Sequence, residues 1–143
     1  MLDKQKLILS KINLTSITKP INKPLYDLES IKPGIIHLGL GNFHRAHQAL
    51  YLDDLFNMGL DHDWGIVGSG VMPHDAAMRK ALFEQDLLTT VVELEPGANK
   101  VRVIGSMVDF LPVESGNPSL IRALCDPKIR IVSMTITEGG YFL

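Results

Sequence analysis

The sequence predicts a doubly wound α/β domain built on a mainly parallel sheet, and three observations carry that expectation. A short apolar run, Ile35 to Leu38, breaks at Gly39 and Gly41 and opens into a helical pattern. Strand-like and helix-like segments alternate through the rest of the chain. The last of them, Ile129 to Ile136, is almost continuously apolar, the pattern of a parallel strand covered on both faces.

Each element has a local reason. The 143 residues are 45% hydrophobic and 21% charged, the size and make-up of one globular domain. Residues 1–33 contain Pro20, Pro24 and Pro33 among polar residues and read as an extended arm, packed across the domain as an edge, with at most one short helix near Lys4 to Ile12. Residues 34–143 are then expected to form the α/β domain itself. After the strand at Ile35 to Leu38, one helix is expected from the spacing of Phe43, Ala46, Ala49, Leu50, Leu55 and Phe56, ending at Gly59. Trp64 to Val67 is a second strand that runs into Gly68-Ser69-Gly70. Pro73 suits the first position of a second helix, whose inner face is Ala77, Met78, Ala81 and Leu82. Leu87 to Leu94 and Val101 to Ile104 are β-rich on either side of the turn residues Glu95 to Asn99, and so form an antiparallel hairpin. Ser119 to Cys125 is a short helix before the final strand.

Several functions are excluded or disfavoured. A net charge of -2 leaves no basic excess to neutralise a nucleic acid. No apolar run reaches the ~20 residues of a membrane helix, and Leu7-Ile8-Leu9 is too brief for a signal-peptide core. The chain is therefore expected to be cytoplasmic. The single cysteine, Cys125, cannot form an internal disulfide and is expected to be buried as a small apolar residue. His44 and His47 lie three apart, but no third and fourth ligand follow at metal-site spacing, and no metal is expected.

The glycine turn is the candidate site. Gly39 lets the chain turn off its strand, Gly41 has no side chain to keep a pyrophosphate from the backbone, and the next helix offers free N–H groups. The βαβ unit from Ile35 to Val67 has about the ~30 residues of a dinucleotide fingerprint. It departs from that fingerprint twice. His44 stands where a third glycine would allow close helix packing, a task left to Ala46, and no acid ends the second strand. The first carboxylate after it, Asp75, is either the ribose ligand or an ordinary acid in the first turn of a helix. His44 and Arg45 are expected to shape the first helical turn and orient the loop, His37 to be a strand residue with a hydrogen-bonded ring, and His62 a solvated loop residue. Arg45 has a structural alternative, an ion pair with Asp53 or Asp54.

The run Gly39-Leu40-Gly41-Asn42-Phe43-His44-Arg45-Ala46-His47-Gln48, with Tyr51 and Asp53 following, resembles the opening motif of the mannitol dehydrogenase family of polyol-specific long-chain dehydrogenases, which includes fructuronate reductase. The resemblance continues through Trp64-Gly65-Ile66, Arg102 to Ser106 and Ile131 to Tyr141, with Val71 to Arg79 closer to mannitol dehydrogenases. It implies a Rossmann-type domain that binds NAD, with Gly39, Leu40, Gly41, Asn42, Phe43, His44, Arg45 and Ala46 at the cofactor loop. It likewise implies Asp75 on the adenosine ribose, and Thr137 and Glu138 toward the nicotinamide; Glu138 alternatively only begins a loop. The implied reaction moves hydride between NAD(H) and a polyol or its 2-keto sugar. The family's catalytic lysine motif is absent from these residues, so catalytic groups are expected beyond Leu143, in a helical substrate domain. The chain alone is expected to be inactive. A fructuronate reductase segment and a non-catalytic nucleotide-sensing module are the alternatives.

Overall fold

A computed structural model describes residues 8–18 and 20–136. Its centre is a four-stranded parallel sheet in the order β5-β2-β1-β6, made of β1 (Pro33–Leu38), β2 (Gly65–Ser69), β5 (Met107–Leu111) and β6 (Ile131–Met134). The chain leaves β1 toward β2 on one side and returns to its other side at β6. This reversal of strand order opens a crevice at the carboxyl ends of β1 and β6, where ligands of open α/β sheets sit. An antiparallel hairpin, β3 (Thr89–Glu95) and β4 (Ala98–Ile104), stands apart as its own two-stranded sheet.

Helices cover both faces. On one lie α1 (Asn42–Ala46), α2 (Gln48–Asn57) and α3 (Asp75–Phe83), packed with the sheet and hairpin around Leu40, Ala49, Leu50, Ile66, Leu82 and Phe110. On the other, α4 (Pro118–Leu124) places Leu120 against Ile36, Val67 and Leu111. The alternation is that of a strand with two buried faces: Ile36 points one way, Ile35 and His37 the other.

Seven of the sequence expectations are corrected by the course of the chain itself. The helix expected from Phe43 to Phe56 is two, because His47 leaves helical geometry at φ -123° and ψ -86°. Its imidazole Nδ1 lies 2.7 Å from the Phe43 carbonyl oxygen, which closes the last turn of α1. Pro73 stands in the turn before α3 rather than at its first position. β5 was not expected at all. β6 is parallel as expected but is an outer strand, with Ile131, Val132 and Met134 exposed. Cys125 is exposed, since α4 is too short to bury more than its Leu120 side. His62 is half-buried, its Nε2 3.1 Å from the Phe56 carbonyl oxygen and its ring edge-on to Phe56. The arm carries two 3-10 segments where at most one short helix near Lys4 to Ile12 was expected: Ile12–Ser16, which meets that span only at Ile12, and Leu28–Ser30, where the Asp27 side chain accepts the Glu29 N–H; residues 1–7 lie outside the described set.

The arm is joined to the domain by specific bonds. Asn22 pairs with β4 through its N–H to the Val101 carbonyl and its carbonyl to the Val103 N–H, at 3.2 and 2.8 Å. Tyr26 packs edge-on to Phe56 and donates its hydroxyl to Asp53 Oδ1 at 2.6 Å. Asp53, 1% exposed, also accepts from the Gly105 N–H at 2.9 Å and the Asn57 side chain at 3.0 Å, and it lies 3.4 Å from the Arg102 guanidinium. One buried carboxylate thus ties together arm, α2 and hairpin. Burial and this neighbouring carboxylate push the Tyr26 hydroxyl pKa well above its ordinary value.

Candidate functional site: the glycine turn and the carboxyl ends of β1 and β2

At the end of β1 the chain turns through Gly39 at φ +82°, a left-handed conformation that a side chain disfavours. The Gly39 N–H donates to the Ser69 carbonyl at the end of β2, 3.1 Å away, so the turn is tied to the neighbouring strand. Gly41 then serves as the N-cap of α1 in ordinary extended geometry, φ -73° and ψ 177°. A Cβ built at Gly41 would meet nothing within 4 Å. Its bare face therefore borders open space beside the first turn of α1, where N–H groups lack acceptors within the helix.

Between the two glycines, Leu40 turns inward and is 5% exposed. Its side chain lies over Gly68, where any Cβ would overlap its Cδ1. Gly70 has the same relation to Asp75: a Cβ there would strike the Asp75 Cβ and carboxyl group. Asp75 opens α3, accepts the Met72 N–H on Oδ2 at 2.9 Å, and is held beside the end of β2. The sequence reading took Gly68-Ser69-Gly70 only as a strand end without an acid. These glycines in fact admit Leu40 and Asp75, and the signal that could have found them is their spacing opposite the loop's one large residue.

His44, at the third-glycine position, faces the sheet and is 2% exposed. It packs by lying flat on His37, so Ala46, which is exposed, has no part in the close packing expected of it. The approach of helix to strand falls one turn later at Ala49, fully buried, whose carbonyl accepts the Ser106 hydroxyl at 2.6 Å. Neither ring nitrogen of His44 has a hydrogen-bond partner. Burial, reinforced by His37 and Arg45, lowers its pKa to about 3. Burial lowers that of His37 as well. The His37 ring is hydrogen-bonded as expected, Nδ1 to the Ser133 hydroxyl at 2.8 Å and Nε2 to the Thr135 hydroxyl at 3.0 Å.

Arg45 does not pair with Asp53 or Asp54; Arg102 occupies both. The Arg45 guanidinium donates instead to the Asn42 side-chain oxygen and to Met78 Sδ, linking the loop to α3. Phe43 is exposed and stacks on His47 at 4.3 Å between centroids. Thus Gly39 to Ala46 and Asp75 come together at the carboxyl ends of β1 and β2, whereas Thr137 and Glu138 lie outside the described residues.

A depression of about 1020 Å³ adjoins the loop on its other side: it runs between α1, α2 and β6, lined by Phe43, His44, Tyr51, Trp64, Met134 and Ile136 among others. It excludes Gly39, Gly41 and Asp75. The polar loop, which offers backbone donors and a carboxylate, is the better match to a nucleotide than this mostly apolar hollow. Among the described residues no three His, Cys, Asp or Glu side chains converge as a metal site would need, and no helix is long and apolar enough to cross a membrane.

Comparison with known proteins agrees with this fold. Residues 33–142 match the family model described as the mannitol dehydrogenase Rossmann domain. A mannitol 2-dehydrogenase of Cereibacter sphaeroides is 58% identical over 127 residues, which is 89% of this chain and 27% of that protein. A polyol:NADP oxidoreductase of Gluconobacter oxydans (strain 621H) is 42% identical, over 94% of this chain and 28% of its own length. The solved Pseudomonas fluorescens mannitol 2-dehydrogenase, a ternary complex with NAD and D-mannitol, superposes with a TM-score of 0.88 at 48% identity, over 93% of this chain and 27% of that one. The chain spans about a quarter of the length of these relatives.

Proposed function

This chain belongs to the mannitol dehydrogenase family, and from that premise we propose that it is the NAD(H)-binding segment of an oxidoreductase acting on a polyol and its 2-keto sugar, mannitol and fructose. The observation that carries the reading is the open face of Gly41, set between the left-handed turn at Gly39 and the carboxylate of Asp75. A pyrophosphate fits against a backbone with no Cβ, beside unpaired N–H groups, and a ribose fits where Asp75 can accept its hydroxyls.

Within this reading the residues have distinct tasks. Gly39 sets the direction of the turn, Leu40 anchors it in the core, and Arg45 with Asn42 braces it against α3. The bound nicotinamide supplies the hydride chemistry, and the protein holds and orients it. We propose a cytoplasmic setting for this chemistry, supported by a single cysteine that cannot form a disulfide within these residues.

Calorimetric titration of the chain with NAD tests the proposal. Saturable binding that competes with ADP-ribose is the expected result, and a chain that is folded by circular dichroism yet takes up no NAD would overturn it.

A further inference from the structure

Thr135, the residue that follows β6, joins the end of that strand to the glycine turn. Its N–H donates to the Leu38 carbonyl at 3.1 Å, and its own carbonyl oxygen lies 3.5 Å from the point where a Cβ at Gly39 would sit. Its hydroxyl lies 3.0 Å from His37 Nε2, while Nδ1 of the same ring lies 2.8 Å from the Ser133 hydroxyl. Resting on the NAD-binding reading above, we propose that His37 is a positioning residue: by holding Ser133 and Thr135 with its two ring nitrogens, it fixes the end of β6 against the turn and so aligns the nicotinamide half of the dinucleotide, which it does not touch.

The order of the sheet gives His37 this task. Asp75 stands by the end of β2, the turn follows β1, and β6 lies on the far side of β1. A dinucleotide with its adenosine ribose at Asp75 and its pyrophosphate at Gly41 therefore carries its nicotinamide half toward β6. The turn is held from the β2 side, by the Gly39 N–H on the Ser69 carbonyl and by Leu40 over Gly68, so β6 needs a tie of its own. Two residues earlier on the same face of β1 the paired side chains are apolar, Ile35 beside Ile131. An aliphatic residue at position 37 would fill the layer without burying two polar ring atoms. What the imidazole adds is direction. Ser133 sends its proton to Gln48 Oε1, 3.4 Å away, and accepts the Nδ1–H; Nε2 then accepts the Thr135 hydroxyl, which uses the one donor and one acceptor of the neutral ring. His44 lies flat on this ring at 3.6 Å, and His37 is 3% exposed, so the ring is clamped apart from solvent and from a nucleotide in the turn. A slip of β6 by one residue would break both bonds.

The test compares calorimetric affinities for NAD and for ADP-ribose, which lacks the nicotinamide. Wild type, His37→Leu, Thr135→Val and the double variant are titrated, each checked for folding by circular dichroism. Wild type should bind NAD more tightly than ADP-ribose. Each single variant should lower the NAD-to-ADP-ribose affinity ratio by about three- to tenfold, the range of one hydrogen bond, with ADP-ribose affinity within about twofold of wild type. The double variant should fall about as far as His37→Leu alone, because Thr135→Val removes a bond already lost. A His37 that only supports the fold would weaken both ligands alike or neither. Either result in the folded variants would overturn the proposal, as would a wild type that binds the two ligands equally. Should His37→Leu fail to fold, Thr135→Val decides by the same ratio. Failure of folded wild type to bind either ligand would overturn the NAD-binding reading and this inference with it.

Discussion

The imidazoles of His37 and His44 stack with their centroids 3.6 Å apart and their planes 16° from parallel. Two cations could not share that geometry, and burial holds both rings neutral. Because the folded chain lowers the His44 pKa from 6.5 to about 3, the unfolded chain binds more protons between these values. The stability contribution is therefore complete above about pH 6.5 and is lost as pH falls toward 3. Urea denaturation at pH 8 and pH 5 should show His44→Phe losing ~2 kcal/mol less than wild type on acidification. Equal losses would mean that His44 titrates normally in the folded chain.

Asp53 predicts a different kind of sensitivity. Asp53→Ala strands the Tyr26 hydroxyl, the Gly105 N–H and one bond of Arg102 together, and should cost about 3 to 5 kcal/mol in urea denaturation. Tyr26→Phe removes a single hydrogen bond to the carboxylate and should cost about 1.5 to 3 kcal/mol. Limited proteolysis should then cut the arm of the Tyr26 variant faster than the rest of the chain.

The two loop glycines should separate binding from folding. Gly41→Val places its side chain in open space at an ordinary φ, so denaturation should change little while NAD affinity drops roughly tenfold or more. Gly39→Ala must hold a φ of +82° and should destabilise the fold by about 1 to 2 kcal/mol. Unchanged calorimetric affinity in a folded Gly41→Val protein would remove the pyrophosphate from this turn.

Asp75→Asn keeps an acceptor for the Met72 N–H and removes the charge. Loss of a charged hydrogen bond to the ribose, worth about 1.5 to 3 kcal/mol, should weaken NAD by roughly ten- to more than a hundredfold, while NADP binding improves or holds. An unchanged ratio of the two affinities would leave Asp75 as a cap of the Met72 turn.

Much of the fold was legible because its signals are local. The apolar run before Gly39, the turn residues around Gly97 and the inner face of α3 each fit within a dozen residues. β5 escaped because Asp109 interrupts its apolar run and only Gly105 and Ser106 part it from β4. The break at His47 escaped because neither glycine nor proline marks it; a side chain bonding back to Phe43 does. The candidate loop was readable from its glycines, whereas the tether of Asp53 to Arg102 that holds arm, α2 and hairpin together was not: these partners lie 49 residues apart, and an aspartate on the inner side of a helix has no periodic signature. Cys125 misled because a helical pattern says which side is apolar without saying that anything covers it.

The seating of Leu40 over Gly68 makes the binding loop a lever whose fulcrum lies in the hydrophobic interior. A methyl group added to β2 at Gly68 would displace the Leu40 side chain that seats the turn between its two glycines, with no substitution of any residue that meets solvent. Redesign of nucleotide preference in this chain is therefore a two-layer problem, in which the rim can be altered freely only while the residue beneath the turn stays absent in all but backbone.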